Sequence, residues 1–185
     1  MKYSQSHLLQ QFQRLIFLLA LLLLSAFLTF AQALPVKTGT VSFSSAKKKV
    51  SSENTSFKST IDLTAKTITY EVDMAGFSFE KDVQKKHYDS ENGANVASFT
   101  SATFSGNIIT EQDLTAIGEH KVIVKGKLNV LGTELDFETP ALITVTEEGV
   151  ATQAEFLLNR EKFGIIAKYA SMLDDDLKIK VSANY

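Results

Sequence analysis

The sequence predicts an all-β fold of about eight antiparallel strands, closed as a barrel or stacked as a sandwich. Three observations carry this. Apolar residues recur at every second position through most of the chain after Lys37. Turn signals, often with glycine, separate most of the alternating runs. No internal repeat of about 20–50 residues is visible, which sets solenoids and propellers aside. A period of two sends successive side chains to opposite faces of a strand, so one face is dry and the other wet. Many short antiparallel strands of this kind favour a barrel or sandwich over a parallel sheet.

Each element follows from its own pattern. In Thr38 to Ser45, Val41 and Phe43 alternate with Ser and Thr. Lys47 to Lys49 break the run as a solvated turn or edge. Val50, Phe57, Ile61 and Leu63 mark a strand with an irregular part. From Lys66 to Met74 the alternation is clean: Ile68, Tyr70, Val72 and Met74 share one face, and Thr67, Thr69, Glu71 and Asp73 share the other. Residues 75–96 lose it, and Phe79 and Val83, four apart, suggest a short helical turn within a first helical excursion near 79–92. Val96 to Ile108 returns to strand, and Glu111 to Gly118 is a loop. Glu119 to Val130 is a long strand, closed by a tight turn in which Gly132 can take positive φ. Leu135 and Phe137 then alternate with Glu134, Asp136 and Glu138. Gly149 marks a further turn before the strand Val150 to Asn159. A second helical excursion is expected near 161–173, and Leu177 to Tyr185 closes the chain as a strand.

The N-terminus is of a different kind. Met1 to Arg14 carries Lys2 and Arg14 and no acid, Leu15 to Phe30 carries no charge, and Ala31-Gln32-Ala33 supplies small residues at a cleavage spacing. These are the parts of a secretory signal peptide spanning residues 1–33, cut after Ala31 or Ala33. The uncharged run is short for a membrane span of about 20 residues, so an uncleaved anchor is the weaker alternative. Residues 34–185 then form the single mature domain, with no transmembrane segment and a periplasmic or secreted destination in a bacterium. Losing Lys2 and Arg14 leaves 17 basic against 21 acidic residues, which argues against a nucleic-acid partner. The absence of cysteine means stability comes from packing, and excludes a lipidated cysteine anchor.

Catalytic and metal motifs are missing. The chain has no Gly-rich phosphate loop, no paired-histidine zinc motif and no nucleophile elbow. His87, Asp89 and Glu91 fall at alternate positions, but such residues in a loop need not converge, and a solvated loop is the simpler account. His120 is expected as an exposed strand-end residue. Asp174 to Asp176 lack the spaced calcium-loop pattern and are expected as a solvated turn. Asn54-Thr55-Ser56 fits a glycosylation sequon by pattern. The expectation is therefore a non-enzyme with no cofactor and no metal. An eight-stranded barrel either fills with side chains or holds one small ligand, and the pattern does not choose between these. Gly126, inside a strand, marks either a bend or a gap in the wall. Arg160, at a strand end, either meets the polar end of a ligand or ties a loop down.

Four separated stretches point to one family. "KHYDSENGANVASFTSATF", "GKLNVLGTELDFETPALITV", "LLNREKFGI" and "LDDDLKIKVSANY", in this order, resemble the YceI-like proteins over most of residues 38–185. Gly126, Leu128, Gly132 and Pro140 fit the family's hairpin pattern, and Arg160, Phe163, Gly164 and Ile165 fit its next motif, with Asn159 replacing a serine. Gly93, Ala94 and Asn95 depart from it, standing where the family places two aromatics and an acid; Thr100 replaces its proline. The resemblance implies a single eight-stranded antiparallel lipocalin-like barrel with short helical excursions. It also implies a non-catalytic binder of a polyisoprenoid or similar lipid, with a fatty-acyl chain as the alternative cargo. A structural or interaction protein with a filled barrel is the rival, and a homodimer is left open. The expected cavity residues are Val122, Val124, Leu128, Val130, Leu135, Phe137, Phe156, Leu158 and Phe163. Gly126 would leave room and Arg160 would lie near the polar end of the ligand; if Phe156 and Leu158 point inward, Leu157 points out.

Overall fold

A computed structural model describes residues 33–47, 50–165 and 173–185. The expected signal peptide, residues 1–33, lies outside the described residues apart from Ala33, and most of the second helical excursion, residues 166–172, lies outside them too. The strands are β1 (Leu34–Pro35), β2 (Thr38–Ser45), β3 (Val50–Asn54), β4 (Phe57–Asp62), β5 (Thr67–Asp73), β6 (Ser78–Phe79), β7 (Ser101–Ile109), β8 (Gly118–Val130), β9 (Thr133–Val145), β10 (Val150–Asn159) and β11 (Asp176–Asn184). A 3-10 turn, Met74–Gly76, and one helix, α1 (Asp82–Asp89), lie between β5 and β7. All strand pairs are antiparallel, in the order β1-β4-β5-β7-β8-β9-β10-β11-β2-β3-β6.

Eleven strands stand where eight were expected, and the geometry of closure explains the difference. β1 and β2 are one run whose first part pairs with β4 and whose second part pairs with β11. At the switch, the Val36 amide donates to the Ser59 carbonyl (2.9 Å) and the Lys37 amide donates to that of Asn184 (2.7 Å). β3 and β4 are likewise one run broken at Thr55–Ser56, pairing first with β2 and then with β5. These two divided strands form the seam of the barrel. Counting each once leaves eight long strands plus the short β6.

Asn54 holds one corner of that seam. It is 1% exposed; its Nδ2 donates to the Asp73 carbonyl (2.6 Å), and its Oδ1 accepts from the Ser56 amide (2.6 Å). The sequon reading is corrected accordingly, because the amide nitrogen is already committed inside the fold. The clean alternation of β5 is as read: Ile68, Val72 and Met74 are buried, while Thr69, Glu71 and Asp73 face solvent. Across β8 and β9 the outward positions carry directly opposed charges, Lys127 with Asp136 (2.9 Å) and Lys125 with Glu138 (3.3 Å). The β8–β9 hairpin turns on Leu131 and Gly132, both at positive φ (51° and 78°), as a two-residue turn between antiparallel strands requires.

One end of the barrel carries the β4–β5, β7–β8 and β9–β10 turns and Tyr185. The other carries residues 74–100, the β8–β9 turn and the β10–β11 connection. The first end is filled by side chains, among them Ile61, Ile108, Leu114, Val122, Val145, Val150 and Ala183. His120 belongs to this filled end and is not the exposed residue expected. It is 8% exposed, with Nδ1 3.1 Å from Gln112 Oε1 and Nε2 2.8 Å from the Ala116 carbonyl oxygen. It faces inward because it shares the inner face of β8 with Val122 and Val124, and its ring nitrogens fasten the loop beneath.

Candidate functional site: an apolar cavity in the mouth half of the barrel

Above the filled end the barrel encloses a cavity of about 540 Å³. Its walls are inward residues of the strands, including Val72, Phe104, Val124, Leu128, Phe137, Ala154, Ile179 and Val181. Residues 77–94 lie over its open end, contributing Phe77, Phe79, Val83, Gln84, His87, Tyr88, Gly93 and Ala94. Helix α1 has Asp82 in its first turn and Lys86 and His87 in its last, the order its dipole favours. Gln84, His87 and Tyr88, at i, i+3 and i+4, line the cavity from one side of it. Phe79 is not on the helix, as its spacing from Val83 suggested: it pairs with Ser52 in β6, and α1 begins three residues later.

Aromatic rings bind this cover to the wall. Phe43 of β2 packs edge-on against Phe77 (centroids 5.3 Å apart) and Phe79 (5.8 Å), and it stacks on Tyr88 (6.0 Å). Tyr88 in turn meets Phe77 at 5.7 Å and Phe79 at 5.1 Å. Burial raises the Tyr88 phenol well above its ordinary pKa, so it stays protonated. The Gly93-Ala94-Asn95 stretch turns the chain back from α1. The Ala94 amide donates to the Tyr88 carbonyl (2.7 Å), and Asn95 takes positive φ (48°). A Cβ on Gly93 would sit 2.0 Å from the His87 carbonyl oxygen, so that position admits only glycine in this turn. Small residues here leave the mouth to be lined by the rings of residues 43, 77, 79 and 88.

The structure brings some expected cavity residues together and sends others elsewhere. Val124, Leu128, Val130, Phe137, Phe156 and Leu158 line the cavity, while Leu157 is 64% exposed on the outer face. Val122 is on the same face as Val124 but lies deeper, in the filled end. Leu135 and Phe163 pack with Val130 and Leu158 in a side cluster and do not reach the cavity. Gly126 is opposite Gly106, and a Cβ there would lie 2.1 Å from the Ser105 carbonyl oxygen; the glycine permits close strand approach and opens no gap. Arg160 is turned away from the cavity. It is 6% exposed; Nη1 donates to the Ile165 carbonyl (2.9 Å), and Nη2 donates to Asp175 Oδ1 (2.7 Å).

Period-two reading alone missed the polar members of the lining. Tyr70 and Thr152, counted only as strand residues, meet across the barrel with their hydroxyls 3.0 Å apart. The signal was available, since both lie on inner faces. Burial, together with neighbouring Tyr185, raises the Tyr70 phenol far above its ordinary pKa and keeps it protonated. Of the alternate acids near His87, Asp89 pairs with Lys85 along α1 and Glu91 is exposed. Among the described residues no three His, Cys, Asp or Glu side chains are grouped to hold a metal ion.

Known proteins agree with this architecture. No curated relative matches the chain. Burkholderia cenocepacia BcnA superposes with a TM-score of 0.69 at 17% identity, covering 80% of this chain and 96% of its own. A polyisoprenoid-binding domain from Saccharophagus degradans, implicated in plant cell wall breakdown, gives 0.69 at 15% identity, with 82% and 96% covered. The Campylobacter jejuni YceI protein gives 0.59 at 16% identity, with 72% and 84% covered. At these identities the superpositions establish the fold. The model of the YceI-like domain matches residues 33–185, the whole span of the barrel, and the chain belongs to the YceI-like family.

Proposed function

We propose that the protein is a non-catalytic, extracytoplasmic binder or carrier of a polyisoprenoid or similar amphiphilic lipid. The observation that carries this is the cavity of about 540 Å³, walled almost wholly by hydrocarbon inside a closed barrel. Its volume falls within the ~300–1,000 Å³ of small-molecule sites. Each methylene moved from water into such a site is worth about 0.8 kcal/mol, so ten of them give ample driving force without any catalytic group. The printed description of the Saccharophagus degradans domain as polyisoprenoid-binding supports the same class of ligand. The protonated Tyr70 and Tyr88 offer neither a base nor a nucleophile at neutral pH. The rival filled barrel would have no continuous apolar void. The basic, uncharged and small-residue segments before Leu34 support export to the periplasm or beyond.

The test is native mass spectrometry of protein purified from its own envelope, followed by extraction of the bound lipid. An isoprenoid or acyl chain is expected at one per barrel. Ala154→Phe, which projects a ring into the cavity, should lower the occupied fraction at least tenfold while the far-ultraviolet spectrum is kept. Empty wild-type protein, or unchanged occupancy in the variant, would refute the assignment. Sequencing of the mature N-terminus is expected to begin at Gln32 or Leu34.

A further inference from the structure

Four hydroxyls run in a row across the barrel at the inner end of the cavity. Ser59 Oγ is 2.6 Å from Tyr185 Oη, which is 3.1 Å from Tyr70 Oη, which is 3.0 Å from Thr152 Oγ1. At the far end of the row, Ser59 Oγ also lies 2.6 Å from the Thr69 carbonyl oxygen. Each hydroxyl has one proton, and the protons decide what the last member can offer. Tyr185 donates to Tyr70, so Ser59 donates to Tyr185 and Tyr70 donates to Thr152. Thr152 then keeps an O–H that the row does not use. Thr152, on the cavity wall and 5% exposed, thus holds a donor unmet by the described residues. A buried hydroxyl left so is unfavourable unless something in the cavity completes it.

We propose that the amphiphile lies with an oxygen-bearing end inward, its oxygen hydrogen-bonded to Thr152 Oγ1, and its hydrocarbon directed toward the mouth. The inference rests on the lipid-binding reading above and names the class of ligand within it: an uncharged long-chain amphiphile with an acceptor oxygen at its end, an alcohol being the simplest. The oxygen of a ligand hydroxyl accepts the Thr152 O–H and completes the row. A diphosphate or carboxylate does not suit the inner end. Among the described residues the one cation on the lining is Lys81, on the segment over the mouth, and the Arg160 guanidinium is held by Asp175 and Ile165. A charge at the inner end would therefore be buried unpaired.

The experiment uses delipidated full-chain protein with geranylgeraniol isotopically labelled at its carbinol carbon, its methyl ether, and the hydrocarbon of the same skeleton. The carbinol protons are expected to show nuclear Overhauser contacts to the Thr152 methyl and the Tyr70 ring. The alcohol should bind about five- to tenfold more tightly than the hydrocarbon, as one net hydrogen bond implies. Thr152→Val, equal in shape, should erase that difference and leave hydrocarbon binding unchanged. Carbinol contacts to Val83 and Tyr88 at the mouth would overturn the inference while leaving the lipid-binding reading standing. The methyl ether, whose oxygen also accepts, should bind in the same place, and a hydrocarbon binding as tightly as the alcohol would overturn the inference equally. If neither alcohol nor hydrocarbon binds, the lipid-binding reading fails, and the inference with it.

Discussion

Asp174 shows how much a single side chain does that its neighbours in sequence conceal. In the sequence it is one of three adjacent acids, and a solvated turn is the natural expectation. In the fold each of the three has its own partner. Asp174 Oδ2 accepts from the Ala46 amide (2.6 Å), the Lys47 amide (3.1 Å) and Ser45 Oγ (2.9 Å); Asp175 receives Arg160, and Asp176 Oδ1 accepts from Asn159 Nδ2 (2.9 Å). The donors at Lys47, Ser45 and Ala46 hold the Asp174 carboxyl below its ordinary pKa. The stabilisation is therefore complete above the ordinary carboxylate value of about 3.9 and is lost as pH falls through the lowered folded value. Wild-type protein should melt above Asp174→Asn at neutral pH, and the gap should close in acid. Melting curves at a series of pH values check this, and a gap independent of pH would refute it. Arg160 makes the same point. Its motif was legible, but its direction was not, because a residue at a strand end turns inward or outward according to what the following loop offers. Here the Ile165 carbonyl and the Asp175 carboxylate take both of its terminal nitrogens.

At the level of strands and turns the sequence was informative wherever one face is wet. The inward sets of β5, β8, β9 and β10 follow from alternation, and so does the outward Leu157. Alternation could not give depth along the barrel, which separates Val122 in the filled end from Val124 on the cavity. It also could not foresee the seam, where one run of chain pairs with two different neighbours. Gly126 is a position that sequence leaves ambiguous and geometry decides. With Gly106 opposite and the Ser105 carbonyl oxygen 2.1 Å from any added Cβ, only a shift of the backbone could admit a side chain. Gly126→Ala should destabilise the fold by about 2 kcal/mol or more through overpacking. The urea denaturation midpoint reads this; an unchanged midpoint would mean that β7 and β8 can separate there without cost.

Across the whole molecule, the barrel divides along its axis. The turn-bearing end is packed with Ile61, Ile108, Leu114, Val145 and their neighbours; the other end is hollow beneath a cover fastened by four aromatic rings. Filling a preformed apolar cavity carries a heat-capacity signature. Calorimetric titration with geranylgeraniol at several temperatures should give an enthalpy that becomes more negative on warming, a negative heat-capacity change. A value near zero would place the lipid on the outer surface and refute cavity binding.

The same division has a consequence for how such a protein can change over time. The side chains that hold the barrel shut and those that line the cavity are largely different sets, joined mainly through Phe104, Val124, Ile68 and Ile143 at their boundary. Most substitutions destabilise, and a lineage tolerates them only while a reserve of stability remains. With the reserve concentrated in the filled end, residues around the mouth are freed to drift. Changes among the mouth residues can then reshape the cavity, with the scaffold inherited intact.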